Sequence, residues 1–220
     1  MEAIVNIDKP LGLSSARVVG RVKRLLPRGT KIGHAGTLDP FATGVLLLLV
    51  GRATKRCEEL MDQPKQYEAT VKFGATTATD DPESPEIAWP NSAGEISREQ
   101  IESLLPSFIG EVMQQPPIFS ALKVGGRRAY ALARKGHAVK LFPRPVRIYG
   151  IELLEYHWPL LRLRIDCGRG TYIRSLARDI GAALNVGGHL TQLRRTRVGQ
   201  YEVESAIKLE DMTAESIPLV

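Results

Sequence analysis

Apolar residues run without a break from Val45 to Val50, which predicts a strand buried on both faces. The run is far too short to cross a bilayer. Tyr67 to Phe73 alternates between apolar and polar positions, as a half-covered strand does. Val146–Tyr156 and Leu160–Asp166 read as two further strands joined around Trp158-Pro159, and Ala3–Ile7 as a short one ending in the turn Asp8 to Gly12. The clearest helical pattern spans Thr171 to Leu184. There Ile173, Leu176, Ala177, Ile180, Ala183 and Leu184 share one face, Arg174 and Arg178 lie beside it, and Asn185 and Gly187 end it. A second helix is predicted from Ser14 or Ser15 to Leu26 on the spacing of Val18, Val19, Val22, Leu25 and Leu26, with Pro27 and Gly29 as the stop. Ser97-Arg98-Glu99-Gln100 is a capping box that opens a third, carrying Ile101, Leu104 and Leu105.

Between these elements lie a glycine-rich loop from Gly33 to Gly44 and a loop-like stretch from Ala75 to Pro90. Breaks follow at Gln115–Pro117 and a turn at Lys123–Gly126, and Arg128–Arg134 is compatible with a short basic helix. Strands and helices alternate without a βαβ rhythm. The expected class is therefore α+β, with a mixed, largely antiparallel sheet flanked by helices.

Composition changes this picture little; charge changes it more. The chain has 220 residues, enough for a sizeable core, and a net charge of +6. The basic excess lies in residues 1–57 and 112–220, and residues 58–111 are acidic. No acidic residue occurs between Glu111 and Glu152, a stretch that holds Lys123, Arg127, Arg128, Arg134, Lys135, Lys140, Arg144 and Arg147. Segregated positive charge, richer in arginine than lysine, suits a polyanion such as nucleic acid. Cys57 and Cys167 are isolated, which argues against a disulfide framework or a cysteine zinc site and suits a reducing cytosol. The first residues lack the basic and apolar regions of a signal peptide. A cytoplasmic protein without a membrane segment is expected.

Asp39 is the first candidate for chemistry. It lies between Gly36 and Gly44, beside Pro40 and just before the buried strand, so a firm base stands behind it. A carboxylate of ordinary pKa, about 3.9, is ionised at neutral pH and can attack an electrophilic carbon. An aspartate before proline more often caps a turn, and spacing alone favours that reading. His34, His137, His157 and His189 show no metal-binding spacing, and no phosphate-loop, dinucleotide or serine-elbow motif occurs. No metal or cofactor is expected. Arg174, in the first turn of the last helix, is placed to pair with a buried carboxylate or to stand solvated, as Arg178 does in the simplest reading. Leu193-Arg194-Arg195-Thr196-Arg197 is either a phosphate-contacting strand edge or an ordinary charged one.

Gly33-His34-Ala35-Gly36-Thr37-Leu38-Asp39-Pro40-Phe41-Ala42-Thr43-Gly44 resembles the catalytic loop of the tRNA pseudouridine synthase B family. Other segments resemble that family's motifs in the same order. These are Asp8 to Ser15, Lys65-Gln66-Tyr67-Glu68-Ala69, Pro117 to Lys123, Gly170 to Leu176, and Leu193-Arg194-Arg195. The resemblance implies a pseudouridine synthase catalytic domain over 1–210 with a basic, thumb-like insertion at about 120–147. It makes Asp39 the nucleophile. Tyr67 stacks on the target base, Arg174 pairs with Asp39, Tyr172 and Leu193 line the uracil pocket, and His34 fills the space left when the uridine flips out. Lys123, Arg127 and Arg128 then grip RNA. An enzyme that acts on a base must extract it and hold it against apolar or aromatic groups, so these roles are physically coherent.

The implied reaction breaks the N1–C1′ bond of the T-loop uridine of tRNA, conventionally position 55, turns the uracil, and joins C5 to C1′. Attack on the sugar, addition to the base and abstraction of a sugar proton are all open to Asp39. The implied partner is the T arm of tRNA, bound by a monomer without guide RNA or a protein partner. Residues 211–220 read as a short tail in place of the small C-terminal RNA-binding module usual in bacterial members. Two other readings stand beside this one. One is a catalytically silent tRNA-binding or folding factor on the same fold. The other is a guide-RNA-dependent synthase working with partner proteins.

Overall fold

A computed structural model of the chain describes residues 2–90, 94–120, 122–124, 126–129 and 139–217. It is α+β and forms two compact units, Met1–Glu68 with Gln192–Val220, and Ala69–Thr191. Among the described residues no helix is long and apolar enough to cross a membrane.

The first unit is built on a mixed sheet. β1 (Glu2–Lys9) pairs antiparallel with β3 (Thr43–Gly51) along its whole length. The other edge of β3 is shared. β2 (Ile32–His34) runs antiparallel to Leu48–Val50, while β12 (Gly188–Val198) runs parallel beside Thr43 and Gly44. β14 (Ile207–Lys208) adds a parallel strand outside β1, and β13 (Tyr201–Glu202) folds back on β12. β3 is buried from Gly44 through Val50, as the unbroken apolar run predicts, because both its faces are covered. One face packs Val45, Leu47 and Leu49 against Ala35, Ala53, Leu60, Val198 and Val203. Full burial of each large apolar side chain stabilises the fold by roughly 1.5–3 kcal/mol.

α1 (Ser15–Lys23) opens on Ser14, whose side chain accepts from the Arg17 amide. It ends at Lys23, three residues short of the predicted end at Leu26, and the chain tightens there into turns in which the Arg24, Leu25 and Leu26 amides donate to the carbonyls of Arg21, Val22 and Lys23. β1 in turn extends through Asp8 and Lys9, which the sequence suggested as the start of a turn. Periodicity did not predict α2 (Cys57–Asp62), a short helix behind β3.

The second unit begins within β4 (Lys65–Phe73), at Ala69, and its strand order is β4, β11 (Leu160–Cys167), β10 (Arg144–His157), β7 (Gly110–Gln114). β10 is antiparallel to both neighbours. The loop-like stretch after Ala75 contains a small hairpin, β5 (Ala75–Thr77) with β6 (Glu86–Ala88), and β7 was likewise not predicted. Both are too short to show periodicity. The capping box at Ser97 is formed as expected and opens α3 (Arg98–Leu104). Lys123–Val124 and Arg127–Arg128 pair as strands β8 and β9 around a turn with Gly126 at φ +80°. The predicted basic helix Arg128–Arg134 falls mostly outside the described residues.

α4 (Ile173–Ala183) buries Ile173, Leu176, Ala177 and Ile180, as its pattern requires. Its last turn differs: Ala183 is exposed and Gly181 is buried in its place. A Cβ on Gly181 would lie 2.3 Å from the Gly187 carbonyl carbon, so a glycine lets the returning chain close on the helix.

Candidate active site

In the first unit, the loop from Ala35 to Ala42 joins β2 to β3 and carries Asp39. Its apolar residues Ala35, Leu38, Phe41 and Ala42 are buried, whereas Thr37 is exposed and Asp39 half-buried. The peptides on both sides of Asp39 are tied down. Ser15 Oγ donates to the Leu38 carbonyl at 3.0 Å and accepts from the Leu38 amide at 2.9 Å. The Pro40 carbonyl accepts from the Gly12 amide at 2.8 Å and from Lys9 Nζ at 3.3 Å. The Asp39 carbonyl accepts from the Ala42 amide at 3.1 Å. Asp8 to Ser15 thus forms the floor beneath the loop, a sound physical reason for the motif.

Lys9 and Arg195 are both fully buried cations. Lys9 Nζ donates to the carbonyls of Leu13 at 2.7 Å, Pro10 at 2.9 Å and Pro40. Burial lowers its pKa to about 8, with the Asp39 charge opposing that fall and the Arg195 charge adding to it. Arg195 reaches under the loop and donates from Nε to Val45 O at 2.7 Å and from Nη2 to Gly36 O at 3.2 Å. Its neighbour Arg194 forms a two-pronged ion pair with Asp8, at 2.8 and 3.1 Å. The run Leu193–Arg197 is therefore no exposed edge: Leu193 and Arg195 are buried and Arg194 is engaged. Sequence reasoning named neither Lys9 nor Arg195 as site residues, and nothing in a lysine after an aspartate signals burial.

Tyr67 lies on the buried face of β4 with Lys65, and His34 ends β2 opposite Leu48. The structure thus carries His34, Asp39, Tyr67 and Leu193 in one unit and Tyr172 and Arg174 in the other.

In the second unit, Tyr172 immediately precedes α4. Gln114, itself buried, holds its backbone at both ends: Nε2 donates to Tyr172 O at 3.0 Å, and the Tyr172 amide donates to Oε1 at 2.8 Å. The Arg144 guanidinium lies 5.3 Å from the centre of the Tyr172 ring and donates to Gly170 O at 2.8 Å. The cation therefore occupies one ring face, an interaction worth about 0.5–2 kcal/mol. Arg174 is buried. Its Nη1 donates to Thr79 O at 2.9 Å and Asp81 Oδ2 at 3.0 Å, and its Nη2 to Phe119 O at 2.9 Å. Arg174 thus pairs with a buried carboxylate, as one reading of the sequence allowed, and the partner described is Asp81. Arg178 is not simply solvated: it pairs with Asp80 and Asp179 and donates to Gln115 O. Burial raises the pKa of Asp80 and of Asp179, against the pull of Arg178. Lys123, Arg127 and Arg128 are placed by the backbone of the β8–β9 hairpin.

A cleft of about 470 Å³ opens in the first unit, lined by Arg28, Lys31, Arg52 and Lys55 together with Gly29, Thr30, Gly51 and Thr54. Four cations meet there, two from the segment 28–31 and two from the 3-10 helix Arg52–Arg56, so no local pattern announces them. Among the described residues, no three His, Cys, Asp or Glu side chains are grouped to hold a metal ion.

The arrangement is that of a pseudouridine synthase fold. Over 95% of the chain it is similar to the solved Cbf5-Nop10-Gar1 complex, with a TM-score of 0.73 and 33% identity, and to the archaeal box H/ACA sRNP Nop10-Cbf5 complex, at 0.69 and 31%. The chain spans about half of each of those chains, 53% and 52%. The model of the TruB family pseudouridylate synthase N-terminal domain matches residues 23–173, and that of the tRNA pseudouridylate synthase B C-terminal domain matches residues 174–217. The chain belongs to the TruB family of pseudouridylate synthases. It is 49% identical to tRNA pseudouridine synthase B of Bacteroides fragilis, over 93% of this chain and 89% of that protein. It is 48% identical to the protein of that name from Mycobacterium tuberculosis, over 95% of this chain and 71% of that one.

Proposed function

We propose that the chain is an isomerase that converts the T-loop uridine of tRNA, position 55, to pseudouridine, with Asp39 as its nucleophile. The observation that carries this reading is the anchoring of Asp39. The backbone around it is fixed by Ser15, Gly12 and Lys9, in a loop whose sequence resembles the family's catalytic loop. A carboxylate held in one place is what attack on a fixed carbon needs. Tyr67 stacks on the extruded base, Tyr172 and Leu193 line its pocket, Arg174 serves the Asp39 carboxylate, and His34 takes the place of the flipped nucleotide. Stacking worth roughly 1–3 kcal/mol helps offset extrusion.

Phosphates of the T arm are held by the basic cleft of Arg28, Lys31, Arg52 and Lys55 and by Lys123, Arg127 and Arg128 of the hairpin segment. The relatives named tRNA pseudouridine synthase B support a tRNA substrate, and the reading has the chain bind it without guide RNA or protein partner. Pure protein is to be incubated with an unmodified tRNA transcript and the product mapped. Pseudouridine at position 55 is expected. Binding without conversion would favour a silent RNA-binding factor, and conversion only with an added guide RNA would favour the guided class.

A further inference from the structure

Tyr172 stands just ahead of α4, at the position where helices favour a residue whose side chain caps them. Its side chain makes no such cap, and its backbone is extended. The helix therefore does not set the direction of its ring. Two side chains from the neighbouring sheet do. Gln114 is the last residue of β7, Arg144 is the first of β10, and the two are cross-strand partners. Partners in an antiparallel pair project to the same side of a sheet, so both can reach one target. The Gln114 amide brackets the Tyr172 backbone, donating to its carbonyl and accepting from its N–H. The Arg144 guanidinium lies 5.3 Å from the ring centre and donates to Gly170 O. Gly170, at φ +84°, makes room for it: a Cβ there would stand 3.2 Å from Arg144 Nη2.

We propose that Gln114 and Arg144 are positioning residues for Tyr172, a single rung of the sheet that aims its ring at the uracil. The proposal rests on the reading that Tyr172 lines the uracil pocket. Each side chain does a different part. Gln114 carries both donor and acceptor, so it satisfies one backbone N–H and one C=O as a neighbouring strand would. It is buried, and burying an amide is unfavourable unless its hydrogen bonds are made. Once they are made, the direction in which the Tyr172 side chain leaves the backbone is fixed. Arg144 then restrains the ring itself by lying over one face, and the uracil meets the other. A fold that needed only a stable helix start would place serine or aspartate there.

The rung stands at the root of the basic insertion. The chain leaves the sheet after Gln114 and returns to it at Arg144, with Lys123, Arg127 and Arg128 between. One residue on, Gln115 O accepts from Ser175 Oγ and from Arg178 Nη2, both at 2.8 Å, so the departing strand is fastened to α4 as well. By charge alone Arg144 would suit a phosphate, like the other cations of that stretch. Its geometry assigns it differently, since one donor is used on Gly170 O and the guanidinium lies over the ring.

The test is the single-turnover rate of pseudouridine formation on a tRNA transcript at saturating enzyme, with tRNA affinity and its salt dependence measured alongside. Wild type, Gln114→Met, Arg144→Met, Tyr172→Leu and the double variant Arg144→Met with Tyr172→Leu are compared. We expect the saturated rate to fall roughly tenfold or more in Gln114→Met and in Arg144→Met, the size that loss of one such interaction gives. Affinity should stay within about threefold of wild type, and the salt slope should not change. Removing the ring removes what the rung positions, so Arg144→Met should slow Tyr172→Leu by less than about threefold. A wild-type saturated rate in Arg144→Met, with weaker binding and a shallower salt slope, would overturn the proposal and make Arg144 a phosphate contact. Losses that multiply in the double variant would overturn it too, since Arg144 would then act without the ring. Where Gln114→Met does not fold, the cycle of Arg144 and Tyr172 decides alone. A near-normal rate in Tyr172→Leu would defeat the reading of Tyr172. A slow Tyr172→Leu beside unaffected Gln114 and Arg144 variants would defeat only the rung.

Discussion

One hydroxyl fixes Leu38. Ser15 Oγ satisfies both polar groups of that residue in a buried setting, so Ser15→Ala leaves an amide and a carbonyl without this partner. We expect a loss of about 1–3 kcal/mol in urea unfolding, and a slower reaction because Leu38 adjoins Asp39. Arg174→Lys should be severely impaired in turnover, since a point charge cannot span Thr79, Asp81 and Phe119 as a planar fork does. Near-normal rates would count against that role. Lys9 makes a further prediction about stability. Its pKa in the folded state, about 8, lies below its ordinary value, so between the two the unfolded chain binds more protons. Stability should therefore rise as pH climbs from about 8 towards 10 and forfeit that contribution below 8. The rise should be weaker in Lys9→Met, as followed by denaturation at each pH. At this scale the sequence singled out Asp39 and Arg174 as candidates for chemistry. It hid Ser15, Lys9, Gln114 and Arg195, because burial of a polar group is decided by distant segments.

Among the elements, β3 and α4 were legible since each repeats its pattern over several turns or residues. The β5–β6 hairpin, β7 and α2 were not, being too short for a period to show. The junction of β3 with β12 is where an element directly bears on the site. Gly44 pairs with Arg195 at a close approach and at φ +100°. Gly44→Ala should destabilise the fold by about 3 kcal/mol or more, through strain and collision with the Arg195 backbone, and should displace the Asp39 loop. Leu48→Ala, fully buried on the same strand, is expected to cost about 2–5 kcal/mol with less effect on the rate per folded molecule. Urea titration paired with single-turnover kinetics separates the two. The last turn of α4 shows the limit of periodicity: Gly181 faces the returning chain where the pattern put Ala183, and only the close packing of Gly187 explains it.

At the scale of the whole molecule, charge is segregated along the chain, and the structure gathers part of it into the cleft of Arg28, Lys31, Arg52 and Lys55. Neutralising a phosphate releases counterions, so Lys31→Glu with Lys55→Glu should weaken tRNA binding and flatten its salt dependence. The log–log slope should fall by roughly 0.9 for each phosphate that the variant leaves without its cation. Arg127→Glu with Arg128→Glu should do likewise. An unchanged slope would mean that the altered segment does not touch RNA. The most direct measurement is conversion of an unmodified tRNA transcript by the pure chain, with no guide RNA, beside Asp39→Asn. We expect pseudouridine at position 55 with wild type, and binding without product with the variant. Appreciable turnover by Asp39→Asn, or no product from wild type, would contradict it.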